Sequence, residues 1–557
     1  MKKVIVLFFS FLSVAVWAGN LPDHMYFQAM NDEMQRTQQE LRIKGSSVPF
    51  FTVYKLTDVF RHQVSSSLGA ALPEEEPNNN LSALVYMYTG NARKNSSGFV
   101  PYSESRNKKE EFSPESGNYL PQSYEGIRRE IWQLTDKAYI FASSDYDKKE
   151  AYKKRKGLKD EMPDFSKAPK AAYQQEIPAF VPLPADTQEK VNKISELGKK
   201  LSYLEKFIVK RERLQKRYYL LDSEKDFAQY FVPQDYVHIQ ALFRGKEGRR
   251  YSLYRTYNLP EDETLQQAQM QQRAEDILEE VQAQYQAVKI EKPYIGPVLF
   301  EKKAAADFFF FLFYPSARYS KPLLRGDDRT DSDAGYFKDR VGMRVISPLF
   351  DVYDKPLLPY YQGVALSAFM PVDDEGVEAQ DLQLVQEGKL IALPTLRSPI
   401  QGQKKSNGHG RINSHSIARA GLTNLVFVPK ISFSQQQMEE KLLQRCKELD
   451  LEYCYIISSS FDYWKGEGWP ESVQRIYTQD GRKESVTGLN LTGLSARSLR
   501  NILAAGDKQY IFGDFSRYEV YRGASAVSIV APSVLVDEIE LVPDMKVPDT
   551  PPLVPIP

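Results

Sequence analysis

Two spacings of apolar residues alternate along this chain, and each predicts a different kind of element. Phe27, Met30, Met34 and Leu41 recur at helical spacing, with Arg36 and Glu40 on the polar side, which predicts an opening helix. Strand-like runs follow at 48–54, 58–67 and 81–88. Between the last two lies an acidic, Pro- and Asn-rich stretch at about 69–80 that reads as an exposed loop. The spacing of Ile131, Trp132, Leu134, Ala138 and Ile140 predicts a helix over 128–141. The Lys-, Asp- and Pro-dense region at 143–185 reads as a surface excursion with room for a short helix, and its basic run 148–159 as a solvated helix face.

Asp186-Thr-Gln-Glu189 has the form of a capping box. The 3-4 spacing of Ile194, Leu197, Leu201, Leu204 and Ile208 then predicts a long amphipathic helix. Alternating segments at 218–224, 236–242 and 249–257 predict strands, and 264–288 predicts a second long helix. Glu291-Lys-Pro-Tyr reads as a linker, because proline stops the helix and favours extended chain. Beyond it the pattern is mostly strands (341–347, 349–352, 363–368, 382–385, 389–393), interrupted by helices at 435–449 and 495–505. The second of these has Ser495 as its expected N-cap and Gly506 as its stop. Residues 525–536 read as two buried strand pieces around Pro532.

The whole pattern predicts an α+β fold. An N-terminal helix-and-sheet domain would occupy 19–290, with insertions at about 69–80 and 143–185. A strand-rich C-terminal domain would occupy 294–542, and a tail with six prolines 543–557.

Charge removes one class of partner. Lys+Arg and Asp+Glu number 73 each, so no basic field draws the chain to nucleic acid. The first 18 residues read as a signal peptide: Lys2 and Lys3, a mostly apolar run over 4–16, and a cleavage box ending at Ala18-Gly19. Its removal leaves 71 basic against 73 acidic residues, or −2. The run is short for a membrane span and no later one is longer, so the expected location is periplasmic or secreted. Of the two cysteines, Cys446 lies on an apolar helical stripe and Cys454 in a strand-like run. Export permits a disulfide, but the reading favoured here is a pair of buried thiols.

The most informative stretch is Tyr294-Ile-Gly-Pro-Val-Leu-Phe300, a charged turn, and Ala304-Ala-Ala-Asp-Phe-Phe-Phe-Phe-Leu-Phe313. Four further pieces follow in order: Asp373-Asp-Glu-Gly-Val377, Leu384-Val-Gln-Glu-Gly-Lys-Leu390, Ser406-Asn-Gly-His-Gly-Arg411 and Asn424-Leu-Val-Phe-Val-Pro429. Upstream, the opening helix followed by Pro-Phe-Phe-Thr-Val-Tyr54 and the turn Asp222-Ser-Glu224 match the same frame, with Lys225 and Asp226 departing from it. Together these resemble the TldD/PmbA family of metallopeptidase-like proteins.

In that family's catalytic branch, His-Glu-x-x-x-His follows the Gly-Pro-Val-Leu-Phe strand. The positions matching it here are Phe310, Phe311 and Pro315. A catalytic zinc needs three lone-pair donors and an open site for water, which phenylalanine and proline cannot supply. The chain's five histidines (His24, His62, His238, His409 and His415) are not followed by Glu, and no HExxH, HExxxH or CxxC occurs. The resemblance therefore implies the zinc-lacking PmbA-type subunit, without a cofactor unless zinc ligands are relocated. Such a subunit would bind unfolded peptide or protein beside a TldD-like catalytic partner, or as a homodimer.

The substrate-binding candidates are Asp373, Asp374, Glu375 and Gly376, then Asn407, His409 and Arg411. The acidic run reads as a tight turn at Gly376 or as a carboxylate cluster at a groove, where like charges raise one pKa. His409, between two glycines, reads as a mobile imidazole beside residues suited to peptide carbonyls or a carboxylate terminus. Two alternatives stay open: an active metallopeptidase with relocated ligands, and a stand-alone peptide-binding protein.

Overall fold

A computed structural model describes residues 21–544 apart from 23, 74–75, 102–119, 160–161, 246–249, 329–334, 401, 413–417, 460, 465–466 and 514–525. The leader at 1–18 and nearly all of the proline-rich tail lie outside the described residues.

The α+β class holds. The N-terminal sheet is built on five long antiparallel strands, in the spatial order Asn78–Thr89, Pro49–Ser67, Leu204–Asp222, Phe227–Arg244 and Arg250–Asn258. Pro49–Ser67 is one 19-residue strand, not two pieces, because it is paired on both edges along most of its length. Side chains alternate faces. Tyr54 and Leu56 point to the opening helix Met25–Glu40 and the long helix Tyr124–Lys156, whereas Phe51 and Val53 point to a cluster that includes Val372 and Ile412 of the C-terminal domain. The helix Glu263–Tyr285 covers the other end of the sheet through Met270, Ala274, Ile277 and Val281.

Several expectations are corrected. The 143–185 region begins as helix: Tyr124–Lys156 runs 33 residues and stops at Gly157 in the left-handed conformation. Its basic run is not all solvated. Lys149 is 3% exposed, and its ammonium donates to the carbonyls of Asn95 and Ser97 and to Asp164 at 2.7–2.8 Å. The supposed 69–80 loop is a tight return through Ala70–Ala71, with the next strand starting at Asn78.

Asp186 makes no side-chain cap, and the helix it precedes ends at Glu196. Leu204 and Ile208 belong instead to Leu204–Asp222, because β-favouring Phe207, Ile208 and Val209 find partner strands on both sides. Gly198 marks the change of element: a Cβ there would sit 2.6 Å from that of Phe207.

The C-terminal sheet is organised around the closing strand Ser528–Pro543. It pairs antiparallel with Tyr294–Phe300 and parallel with Asn424–Pro429. Val298, Phe300, Val534 and Val536 face the large core with the Phe-rich helix Lys302–Leu312. Leu299, Ile456 and Leu535 face Met438 and Leu442 of the helix Gln435–Glu448. That helix starts at a complete Ser434/Gln437 capping box.

The predicted helix over 495–505 is instead a single 3₁₀ turn, Ser498–Asn501, followed by the strand Ile502–Phe512. Pairing to the closing strand overrides the helical spacing. The two pieces expected around Pro532 are one strand, since the partner strand is irregular between Ala505 and Gln509, where Pro532 lies opposite. Residues 341–347 form turns rather than a strand. Cys446 and Cys454 are joined, with Cα atoms 6.4 Å apart, which corrects the reading of two free thiols. The helix and the adjoining strand Tyr453–Ile457 bring both side chains into one small apolar cluster.

Lys149→Met would strip two carbonyls and a buried carboxylate of their shared cation. We expect a loss of about 3 kcal/mol, read as a lower midpoint in urea unfolding.

Candidate functional site

The Phe-rich helix places the zinc-motif positions in hydrocarbon. Phe309 stacks on Phe427 at 4.0 Å, and Phe310 stacks on Tyr314 at 5.2 Å and meets Phe311 edge-on at 5.3 Å. Phe310 and Phe311 are each 7% exposed. The helix ends at Leu312, and a single turn, Tyr314–Ala317, restarts with Pro315 in its first positions. Proline is accommodated there because the first-turn N–H groups have no helical partner. None of Phe310, Phe311 and Pro315 offers a lone pair to a cation. A zinc held at these positions does not fit the side chains present.

The polar centre of the molecule lies where the Asp373–Val377 turn meets the N-terminal sheet. Gly376 has φ +75°, and a Cβ there would be 2.1 Å from Asp222 Oδ2, so both conformation and space require glycine. Asp373 Oδ1 accepts from the N–H groups of Glu375 and Val377 at 2.9 Å, and Oδ2 from Gly410 at 2.7 Å. Asp374 takes Lys55 Nζ at 2.6 Å and Ile412 N–H at 3.0 Å. Glu375 Oε2 accepts from Arg397 N–H at 2.7 Å. The three acids are 0%, 3% and 0% exposed, so they sit beneath the surface and not on an open groove.

Their environments separate their proton affinities. Burial, with the charge of Asp373 next in weight, pushes Glu375 up to about 8. Burial lifts Asp373 to about 6 against its three backbone donors. Asp374 is penalised by burial too, but the cations Lys55 and Arg411 outweigh it and hold the carboxyl below its usual value.

Arg397 is the residue that sequence reasoning missed. It is 1% exposed, donates to Glu224 Oε2 at 2.7 Å and to Ser166 O at 2.9 Å, and lies over the Phe165 ring at 4.1 Å. Glu224 belongs to the Asp222–Ser–Glu turn, so two motifs distant in sequence meet here. Among the described residues, Asp222, Glu224 and Asp226 are also the set with metal-ligating spacing, their oxygens lying within 4.8 Å of one another. The set lacks imidazole and thiolate and suits a hard cation.

The Asn407–Arg411 loop is fixed rather than loose. His409 is 0% exposed, which corrects the mobile-imidazole reading. Its Nδ1 lies 3.0 Å from both oxygens of Asn407, and Nε2 lies 3.2 Å from Asp354 Oδ2. Gly408 (φ +77°) permits this, since a Cβ there would be 2.2 Å from Glu378 O. Asn407 also takes Thr395 N–H at 2.7 Å and donates to Leu393 O at 3.0 Å. Arg411 is half-buried, and its Nε and Nη2 have no hydrogen-bond partner among the described residues.

Residues 293–542 match the sequence profile described as PmbA/TldA metallopeptidase C-terminal domain. This region is similar to that family's C-terminal domain. It holds the Phe-rich helix, the Asp373 turn and the Asn407–Arg411 loop, and it ends with the closing strand. No curated protein matches the sequence.

Three solved structures share the fold well beyond this domain. TldE from Thermococcus kodakarensis superposes with a TM-score of 0.61 at 13% identity, over 92% of this chain and 100% of that one. A putative modulator of a DNA gyrase from Thermotoga maritima gives 0.60 at 15% identity, over 93% and 100%. A third, from Bacteroides thetaiotaomicron with a similar description, gives 0.54 at 12%, over 93% and 98%. The N-terminal sheet and the matched C-terminal region thus recur together in one fold. Among the described residues no helix is long and apolar enough to cross a membrane.

Two outcomes test the buried turn. Gly376→Ala should cost about 2–3 kcal/mol in denaturant unfolding, because it adds strain at positive φ to an overlap with Asp222. Glu375 has a folded pKa raised above its unfolded value near 4.5. The native state therefore holds the extra proton between about pH 4.5 and 8, and stability falls as pH rises through that window. Glu375→Gln should flatten this part of the pH–stability profile, measured by urea titrations at pH 5, 6.5 and 8.

Proposed function

We propose that this chain is an exported, non-catalytic member of the TldD/PmbA family, which binds unfolded peptide beside a zinc-bearing TldD-like partner. The reading rests on one observation. In a region similar to the PmbA/TldA metallopeptidase C-terminal domain, the positions expected to carry His-Glu-x-x-x-His hold Phe310 and Phe311, buried in the core, and the half-buried Pro315. Restoring a zinc there would require three donors inside a hydrocarbon cluster.

Substrate contact then falls to other groups. Asp373, Asp374 and Glu375 accept hydrogen bonds inside the molecule and His409 is held through Nδ1 against Asn407, so their part is to hold the Asn407–Arg411 loop in place. Half-buried Arg411 is the remaining candidate: its Nε and Nη2 lie beneath the surface without a hydrogen-bond partner among the described residues, and a carboxylate or main-chain carbonyl that reached them would match. Cleavage of the leader near Ala18-Gly19 would place the protein in the periplasm or outside the cell.

Purified mature protein should contain far less than one zinc per chain and should not cleave unfolded peptides in a chelator-sensitive way. Stoichiometric zinc with such cleavage by the chain alone rejects the proposal and favours relocated ligands. Affinity purification from the native cell should recover a homologue with an intact zinc motif. Recovery of a monomer without one favours a stand-alone binding protein.

A further inference from the structure

The segment leading from the Phe-rich helix to the strand Phe350–Asp354 presents apolar side chains to water. Phe337 and Val345 anchor it. They are 1% and 2% exposed, and Phe337 meets Phe313 edge-on at 5.6 Å. Between these anchors the chain reads Lys338-Asp-Arg-Val-Gly-Met-Arg344. Val341 is 50% exposed and Met343 54%, with Tyr336 beside the first anchor and Ile391 on the facing hairpin exposed as well. The turn is firmly held. Gly342 N–H donates to Leu390 O at 2.7 Å, Leu390 N–H to Met343 O at 2.9 Å and Met343 N–H to Arg340 O at 2.9 Å. Gly342 has φ +85°, and nothing lies within 4 Å of where its Cβ would be, so the tip projects from the surface.

Cations surround this tip. Arg340 and Arg344 flank it in sequence, and Lys389 faces Arg344 in a β-bridge. Arg497 and Arg500 come from the 3₁₀ turn Ser498–Asn501 and its N-cap, which is tied in by Ser347 N–H donating to Leu499 O at 3.0 Å. Arg497 hydrogen-bonds to the Tyr336 hydroxyl and, with Arg340 and Arg500 nearby, holds the phenol below its usual pKa. Arg340 also lies over the Tyr336 ring at 4.2 Å. Among the described residues, none of these five cations has a carboxylate within 4.0 Å. Of the acids nearby, Asp339 lies 4.0 Å from Lys338, Glu387 pairs with Lys430, and Asp351 accepts from Glu387 N–H at 2.7 Å. The whole chain has equal numbers of basic and acidic residues, so the excess is local. Like charges gathered this way repel one another, and an anionic partner relieves that repulsion.

The shape selects between anionic partners. A stable protein interface buries about 800 Å² on each side around a packed centre, whereas here two aliphatic side chains stand on a projecting tip. A lipid surface makes no such demand. Aliphatic and aromatic side chains enter the headgroup layer one by one, and Lys and Arg around them pair with mobile phosphates.

We propose that the Arg340–Arg344 turn is a membrane-docking tip for an anionic phospholipid surface, with Val341 and Met343 entering the headgroup layer and the surrounding Arg and Lys side chains holding lipid phosphates. The proposal does not depend on the zinc-less reading of the Phe-rich helix.

The test is co-sedimentation of the mature protein, without the apolar leader, with vesicles of phosphatidylcholine alone or of phosphatidylcholine and phosphatidylglycerol in equal parts. Binding to the mixed vesicles should be at least tenfold tighter, and high salt should abolish that difference by screening exposed charge. Arg340→Glu with Arg344→Glu should weaken binding to the mixed vesicles at least tenfold. Val341→Ser with Met343→Ser, which leaves the charge unchanged, should weaken it at least threefold. A matched charge reversal on exposed side chains elsewhere, Lys193→Glu with Lys199→Glu, should leave it as in wild type. Thermal melting confirms that each variant is folded. Equal binding to both vesicle types, binding to neither, an equal loss in the Lys193/Lys199 control, or binding that the serine pair leaves unchanged overturns the proposal. Capture of poly-glutamate without vesicle binding, lost in Arg340→Glu with Arg344→Glu, assigns the tip to an acidic protein segment and overturns membrane docking.

Discussion

Two cations, the half-buried Lys55 and the buried Arg397, tie the halves of this molecule together. Lys55, on a central strand of the N-terminal sheet, reaches Asp374, while Arg397, from the C-terminal domain, reaches Glu224 at the end of another N-terminal strand. Taking such charges out of water is costly, and only close pairing with further hydrogen bonds offsets that cost. Here the offset is supplied by carbonyls, backbone N–H groups and aromatic faces brought from both halves. Neither half can satisfy these groups alone. The interface polarity therefore fixes a single relative placement, and the apolar contacts of Phe51, Val53, Val372 and Ile412 fill in around it.

The apolar character of the Phe-rich helix extends well beyond Phe310 and Phe311. A helix that carried imidazoles over a metal would need a polar, open face. This helix instead spends its Phe side chains on Phe350, Phe427 and Tyr314, and it breaks at Phe313. The surrounding core is packed with rings, so the neighbours of Phe310 and Phe311 share their apolar character. Asp222, Glu224 and Asp226 lie elsewhere in the molecule, with Glu224 hydrogen-bonded to Arg397 and oxygen as the only donor type.

The fold class, the order of most strands and the Phe-rich helix were legible because their periodicity is strong and their turns carry Gly and Pro. The failures share a cause. Leu204 and Ile208, and the residues after Ser495, have helical spacing, yet each is claimed by neighbouring strands that sequence distance conceals. The site was legible as a set of motifs but not as a contact. Asp222-Ser-Glu224 and Asp373-Asp-Glu375 both stood out in sequence, but nothing local shows that Gly376 packs on Asp222 or that Arg397 joins them. His409 between two glycines looked free; the glycines serve close backbone approach instead.

The closing strand carries a further consequence. Ser528–Pro543 lies between Tyr294–Phe300 and Asn424–Pro429, and both edges of that gap stay open until it is inserted. The N-terminal sheet draws its strands from residues before 259, so it can form early in synthesis. The second sheet must wait until Ser528–Pro543 has left the ribosome. Meanwhile its unpaired strand edges and its cluster of phenylalanine rings face solvent, the condition in which nascent chains aggregate and chaperones are recruited.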